Sequence, residues 1–150
     1  MSQTVSAPDR RVGYAAKRLQ QAVRSAGDRA LRPHGLTMPQ FAVLAALAAR
    51  PGLSNSELAR RCFVTRQTMN GLLGGLRDAG LVSRAAHPEH GRVQQLALTD
   101  SGHTAAERGD LAIAAVESRM TRGLTDAQTA QLVELMLTCT ASLESTDEAL

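Results

Sequence analysis

The side chains with the most chemistry to offer stand together at 65–70: Thr65, Arg66, Gln67, Thr68 and Asn70. Arg can bond bidentately to guanine, Gln or Asn to adenine, and Thr or Ser can reach bases or phosphates. The set is therefore suited to reading base edges, provided it sits on the leading edge of a helix that enters the major groove. A second group follows at Arg84, His90 and Arg92. An Arg on a narrow turn can enter the minor groove or clamp a phosphate, and narrow A·T-rich grooves favour it electrostatically. His90 adds a charge or a phosphate contact.

The surrounding sequence supplies the elements that such a reading needs. Ser54 and Glu57 stand as S-x-x-E, so the Ser hydroxyl can accept from the Glu57 amide while the carboxylate accepts from the amide of Ser54. That starts a short helix at about Asn55, with Leu58, Ala59 and Cys62 on one apolar face, and places Ser54 among the residues expected at DNA. Phe63-Val64 makes a turn, and Thr65 is an N-cap for the next helix. In that helix Met69, Leu72, Leu73 and Leu76 recur at i, i+3, i+4 and i+7, a core-facing stripe that leaves Arg66, Gln67, Asn70, Gly71 and Gly74 on the other face. Gly80 falls where a helix end needs a left-handed residue. The runs 81–86 and 93–98 then read as two strands around His87-Pro88-Glu89-His90-Gly91-Arg92, a wing with Arg84 at its base and Arg92 near its tip. A merely solvated helix face would explain the polarity at 65–70, but not the capped helix before it or the wing after it.

The run Ser54–Cys62, then Val64–Thr68, then Leu76–Arg84, closing on Leu96–Gly102, resembles the MarR-type transcriptional regulators in order and spacing. The resemblance implies a homodimeric winged helix-turn-helix repressor whose affinity for double-stranded DNA is often changed by a small, frequently phenolic, ligand. Family members commonly carry long polar or basic side chains where this chain has Gly71 and Gly75, so a smaller recognition surface is expected. They also usually carry an Asp two residues before the tip Arg, where this chain has His90. An effector pocket between the dimer helices and the winged helix would draw on Tyr14, Arg18, Met38 and Phe41, with Arg18 pairing with a carboxylate and Tyr14 stacking or hydrogen-bonding. The alternative is that these four are ordinary interface and core residues.

Composition agrees with a DNA-binding regulator. At 150 residues the chain suits one domain and can bury roughly 68–70% of its unfolded surface without a disulfide or metal staple. Net charge is +6 over residues 1–53, +3 over 54–99 and −6 over 100–150. A basic first half is the footprint of a nucleic-acid binder, and the acidic last third cannot face phosphate. Cys62 and Cys139 both fall on apolar helical stripes and read as buried structural thiols of a reducing compartment. A thiol-responsive switch is the alternative. With no run of 18 apolar residues and no signal-peptide pattern, no membrane association and a cytoplasmic location are expected.

The four histidines, His34, His87, His90 and His103, show no metal-ligand spacing, so no metal and no cofactor are expected. G-x-S-x-G, P-loop and H-E-x-x-H motifs are all missing, which argues against an enzyme.

The expected fold is mainly α with a small β wing: a winged helix-turn-helix over 36–99, flanked by dimerisation helices. Residues 1–8 read as a disordered arm. Residues 9–35 together with 100–146 read as a helical dimerisation domain. A helical period runs from Asp9 to about Leu31 and ends at Pro33 and Gly35. Later helices start at Leu36-Thr37, Leu98-Thr99 and Leu124-Thr125, with Gln40 and Gln128 as capping-box partners. In the last helix Leu132, Leu135, Met136, Cys139 and Leu143 form one stripe and Val133 and Leu137 begin another. A helix apolar on two faces is buried on two faces, which calls for a second copy. The rival in another class is a protein-interaction module that uses the winged helix as a scaffold without reading DNA.

Overall fold

Local capping chemistry dictates where most of the helices begin. The computed structural model of the chain describes residues 10–86, 89 and 94–145. It runs α1 (Val12–Leu31), a 3-10 turn (Arg32–His34), α2 (Met38–Ala49), α3 (Asn55–Arg61), α4 (Arg66–Asp78), β1 (Val82–Ala86), β2 (Gln94–Leu98), α5 (Asp100–Met120) and α6 (Asp126–Glu144). Thr37, Ser54 and Thr125 each make the reciprocal capping box with Gln40, Glu57 and Gln128. Thr99 serves α5, its Oγ1 accepting from Gly102 N at 3.0 Å while donating to Gly80 O at 2.6 Å. Helix α1 is the exception. It begins three residues later than its sequence period suggests, at Val12, and Arg11 offers no side-chain cap.

The fold is mainly helical with a single two-stranded antiparallel sheet among the described residues, the winged helix-turn-helix that the sequence predicts. Val82 pairs with Leu98 and Arg84 with Leu96. Gly80 takes φ 71°, the left-handed conformation that lets α4 stop and the chain turn into β1. The sheet is stitched to its neighbours by Gly52 N donating to Leu96 O at 3.1 Å and Thr99 N donating to Leu81 O at 3.1 Å.

Two compact units result, residues 1–116 and 117–150. The first holds one core in which Leu31, Val43, Leu44, Leu47, Leu58, Met69, Leu73 and Leu76 are almost wholly buried. It takes in more than the 36–99 segment, because α1 contributes Leu31 and the first turns of α5 contribute Ala106 and Gly109. Two glycines make that junction possible. A Cβ on Gly102 would stand 2.0 Å from Leu81 O, and one on Gly109 would stand 2.5 Å from the Phe41 ring. The second unit contains α6, none of whose residues is buried. Cys139, read from sequence as a buried thiol, is therefore exposed, because the stripe that carries it has no cover among the described residues.

Candidate nucleic-acid interface

Helices α3 and α4 form the helix-turn-helix. Their relative position is fixed from below by Leu58, Met69 and Leu73 in the core and from above by a side-chain link, Asn55 Nδ2 donating to Asn70 Oδ1. The turn between them is closed by the backbone: Cys62 N donates to Leu58 O, Phe63 N to Arg60 O and Val64 N to Ala59 O. Phe63 pays for this tight closure with φ 54°, the only left-handed non-glycine among the described residues. Such a conformation costs an aromatic residue on the order of 1–3 kcal/mol.

The capping box of α3 is a charge site as well as a helix start. Ser54 N donates to Glu57 Oε2 at 2.7 Å and Glu57 N donates to Ser54 Oγ at 3.2 Å. The hydrogen bond from the Ser54 amide, reinforced by the Ser54 hydroxyl, holds the Glu57 carboxyl below the ordinary glutamate range, with Arg50 and Arg60 adding smaller contributions. The ionised form that makes the cap is thereby favoured.

At the head of α4, Thr65 Oγ1 accepts from Thr68 N at 3.1 Å and donates to Thr68 Oγ1 at 3.0 Å. Both threonine hydroxyls are thus engaged with each other, which aims the first turn. Arg66 and Gln67 are exposed on that turn with no partner among the described residues. Asn70 differs from the expectation of a free adenine reader. Its carbonyl is taken by Asn55, so a paired bond to adenine, which needs both amide atoms, is not open to it in this arrangement. Beyond it, a Cβ on Gly71, Gly74 or Gly75 would meet nothing within 4 Å, so packing among the described residues gives no reason for these glycines.

Arg84 is exposed at the third position of β1, opposite Leu96. His90 and Arg92, with His87, lie outside the described residues. No group of three or more His, Cys, Asp or Glu that could hold a metal occurs among the described residues, and no helix there is long and apolar enough to cross a membrane.

Of the four residues expected around an effector, Phe41 and Met38 line two different cavities of the single chain. Phe41 lines a space of about 340 Å³ with Ala45, His103, Glu107 and Asp110. Met38 lines a different one, about 330 Å³, with Gln20, Val23, Arg24, Cys62 and Phe63. Tyr14 and Arg18, exposed on α1, line neither. Burial pushes the Cys62 thiol up, only weakly opposed by Arg61, so it stays protonated and a poor nucleophile.

Sequence reading also missed a tie between α1 and the head of α2. Asp28 Oδ1 accepts from Met38 N at 2.7 Å, and a Cβ on the adjacent Gly27 would stand 2.2 Å from the Met38 sulfur. Neither contact has a periodic signature in sequence.

Comparison with known proteins agrees with this geometry. The sequence pattern of the MarR family matches residues 34–93. The HTH-type transcriptional repressor Rv2887 of Mycobacterium tuberculosis is 40% identical over 122 residues, which cover 81% of this chain and 88% of that protein. The crystal structure of Rv2887 in complex with DNA superposes with a TM-score of 0.73 at 34% identity, covering 87% of this chain and 98% of the other. Its complex with salicylic acid gives a TM-score of 0.73 at 37% identity, covering 87% and 97%.

Proposed function

The chain belongs to the MarR family of DNA-binding transcriptional regulators, and from that premise we propose a homodimeric repressor that grips a pseudo-palindromic operator and releases it when a small aromatic acid binds. The observation that carries the reading is the head of α4. Arg66 and Gln67 are presented free on a turn aimed by the Thr65–Thr68 pair and braced by α3. They are the proposed base readers. Asn70, through its remaining amide hydrogens, can add one donor. Ser54, Thr65 and Thr68 are assigned to positioning and phosphate contact, and Arg84, His90 and Arg92 to the wing's contact with backbone or minor groove.

Dimerisation through α1, α5 and α6 is proposed because α6 leaves Leu135, Leu137 and Leu143 more than half exposed. A dimer would bring two α4 helices to half-sites about one helical turn apart. The ligand class is taken from the relative crystallised with salicylic acid.

Selection of bound duplexes from a random pool tests the reading. The expected product is a dyad-related pair of half-sites. Combined Arg66→Ala and Gln67→Ala should abolish the preference, since a good paired base contact discriminates by about 1–3 kcal/mol. If each subunit neutralises roughly three to five phosphates, log K against log salt should slope by about −5 to −9. A slope near zero with no enriched sequence would favour the protein-interaction module instead.

A further inference from the structure

Above the core, α3 is joined to α4 by one side-chain pair, Asn55 at the first position of α3 and Asn70 on the exposed face of α4. Asn55 Nδ2 donates to Asn70 Oδ1. The other end of the Asn55 amide is unmatched: among the described residues its Oδ1 is the buried side-chain polar atom without a hydrogen bond. That orphan fixes which way the pair points. If both amides turned over, the group in the buried place would be an NH2 with two unmet donors, and orphaned N–H groups are rarer in folded proteins than under-satisfied carbonyls. Asn55 therefore keeps its donor toward α4, and Asn70 keeps its oxygen toward α3. Alanine at 55 would remove the unpaired oxygen and is the better helix former, so the stability of α3 gives little reason for an asparagine there.

With its oxygen held by Asn55, Asn70 offers the groove an NH2 group. Gly71, Gly74 and Gly75 follow it on α4, so these positions place no side chain beside it to compete for the same base. The four bases differ in what they show such a donor. Guanine presents two acceptors in the major groove, N7 and O6, and thymine presents one, O4. Adenine sets a donor beside its acceptor, and cytosine presents only a donor. An NH2 group thus suits guanine best and thymine next, meets adenine with half a match, and opposes cytosine.

We propose that Asn55 is a positioning residue of the DNA-reading site: by taking the carbonyl of Asn70 it makes that side chain a donor only, and so selects guanine, then thymine, at one dyad-related position of each half-site. This role rests on the reading of α4 as the helix that enters the major groove. Asn55 itself touches no base, yet it sets the polarity of the contact that Asn70 makes. The logic can be inverted. An aspartate at 55 can only accept, so Asn70 would turn its NH2 toward α3 and its oxygen toward the groove. The reader then becomes an acceptor, which suits the N4 amino group of cytosine or the N6 amino group of adenine.

Selection from a random duplex pool, run in parallel on the full-length wild type, Asn70→Ala, Asn55→Asp and Asn55→Ala, tests the assignment. Asn70→Ala identifies the position, where a guanine preference of roughly threefold to tenfold, the worth of one hydrogen bond, should vanish. Asn55→Asp should keep a preference there but reverse it, to cytosine or adenine on the same strand. Its added charge weakens binding to all sequences alike, which relative enrichment does not register. Asn55→Ala frees both ends of the Asn70 amide and should move the preference to adenine, the base that takes a paired bond from asparagine. Adenine or cytosine at this position in the wild type overturns the proposal even if neither Asn55 variant folds, since the second lone pair of the Asn70 oxygen would then serve the groove. Wild-type preference retained in both Asn55 variants also overturns it and leaves the pair a structural brace, as does a pool in which no position depends on Asn70. In each of these cases dyad-related half-sites are still enriched and the DNA reading stands. A wild-type pool with no enriched sequence takes both down.

Discussion

Helix α4 is capped by Thr65 and hides Met69, Leu73 and Leu76 inside the chain, whereas α6 is capped by Thr125 and Gln128 yet hides nothing, with Leu135, Leu137 and Leu143 in the open. Both sequences carry apolar residues at helical spacing, and both starts are fixed by a threonine cap. The difference lies in what covers them. For α4 a single apolar stripe matches the surface of α2 and α3, so one chain completes it. For α6 two stripes point in different directions, and no single chain face covers both. A cap decides where a helix begins; only a partner surface decides whether it is stable.

The sharpest way to break this comparison is a charge in the uncovered helix. Leu137→Asp should raise the dimer dissociation constant by about 100-fold or more, since an unpaired carboxylate would be buried where a leucine is expected. Light scattering at micromolar concentration would then give the monomer mass. A dimer of unchanged affinity would mean that the second stripe of α6 faces solvent in the assembly, and that the contrast with α4 has been misjudged.

Next in size is the matching cavity in the covered helix. Leu73 is 1% exposed, so Leu73→Ala should cost about 2–5 kcal/mol. Any loss at Leu137 should fade as protein concentration rises, because association stabilises by mass action. The added loss at Leu73 should not change with concentration. Chemical denaturation of both variants over a hundredfold dilution series would separate the two behaviours.

The same contrast explains how much could be read beforehand. The caps at Ser54, Thr37 and Thr125 were legible because both partners lie three residues apart, and Gly80 because a helix end makes a local demand. The α4 stripe was legible for the same reason. The Asn55–Asn70 link joins residues fifteen apart on different helices, and the Asp28–Met38 bond joins residues ten apart across a turn, so no local pattern marks either. The strain at Phe63 had no sequence signal either. Sequence places Phe63 in the turn, but nothing local marks it as the most exposed large hydrophobic side chain among the described residues.

The smallest expected effect concerns whether α4 is as complete within one chain as its buried stripe suggests. Gly71 sits on the exposed face of α4, and a Cβ there meets nothing within 4 Å. Glycine inside a helix costs about 1 kcal/mol relative to alanine. Gly71→Ala should therefore stabilise the DNA-free protein by about that amount, raising the melting temperature by roughly 2–4 °C in a domain of this size. The gain should be the same above and below the dimer dissociation constant. A loss of stability that appears only in the dimer would show that a second copy packs against α4 at Gly71. In that event α4 would share the condition of α6, a helix whose cover comes from outside its own chain.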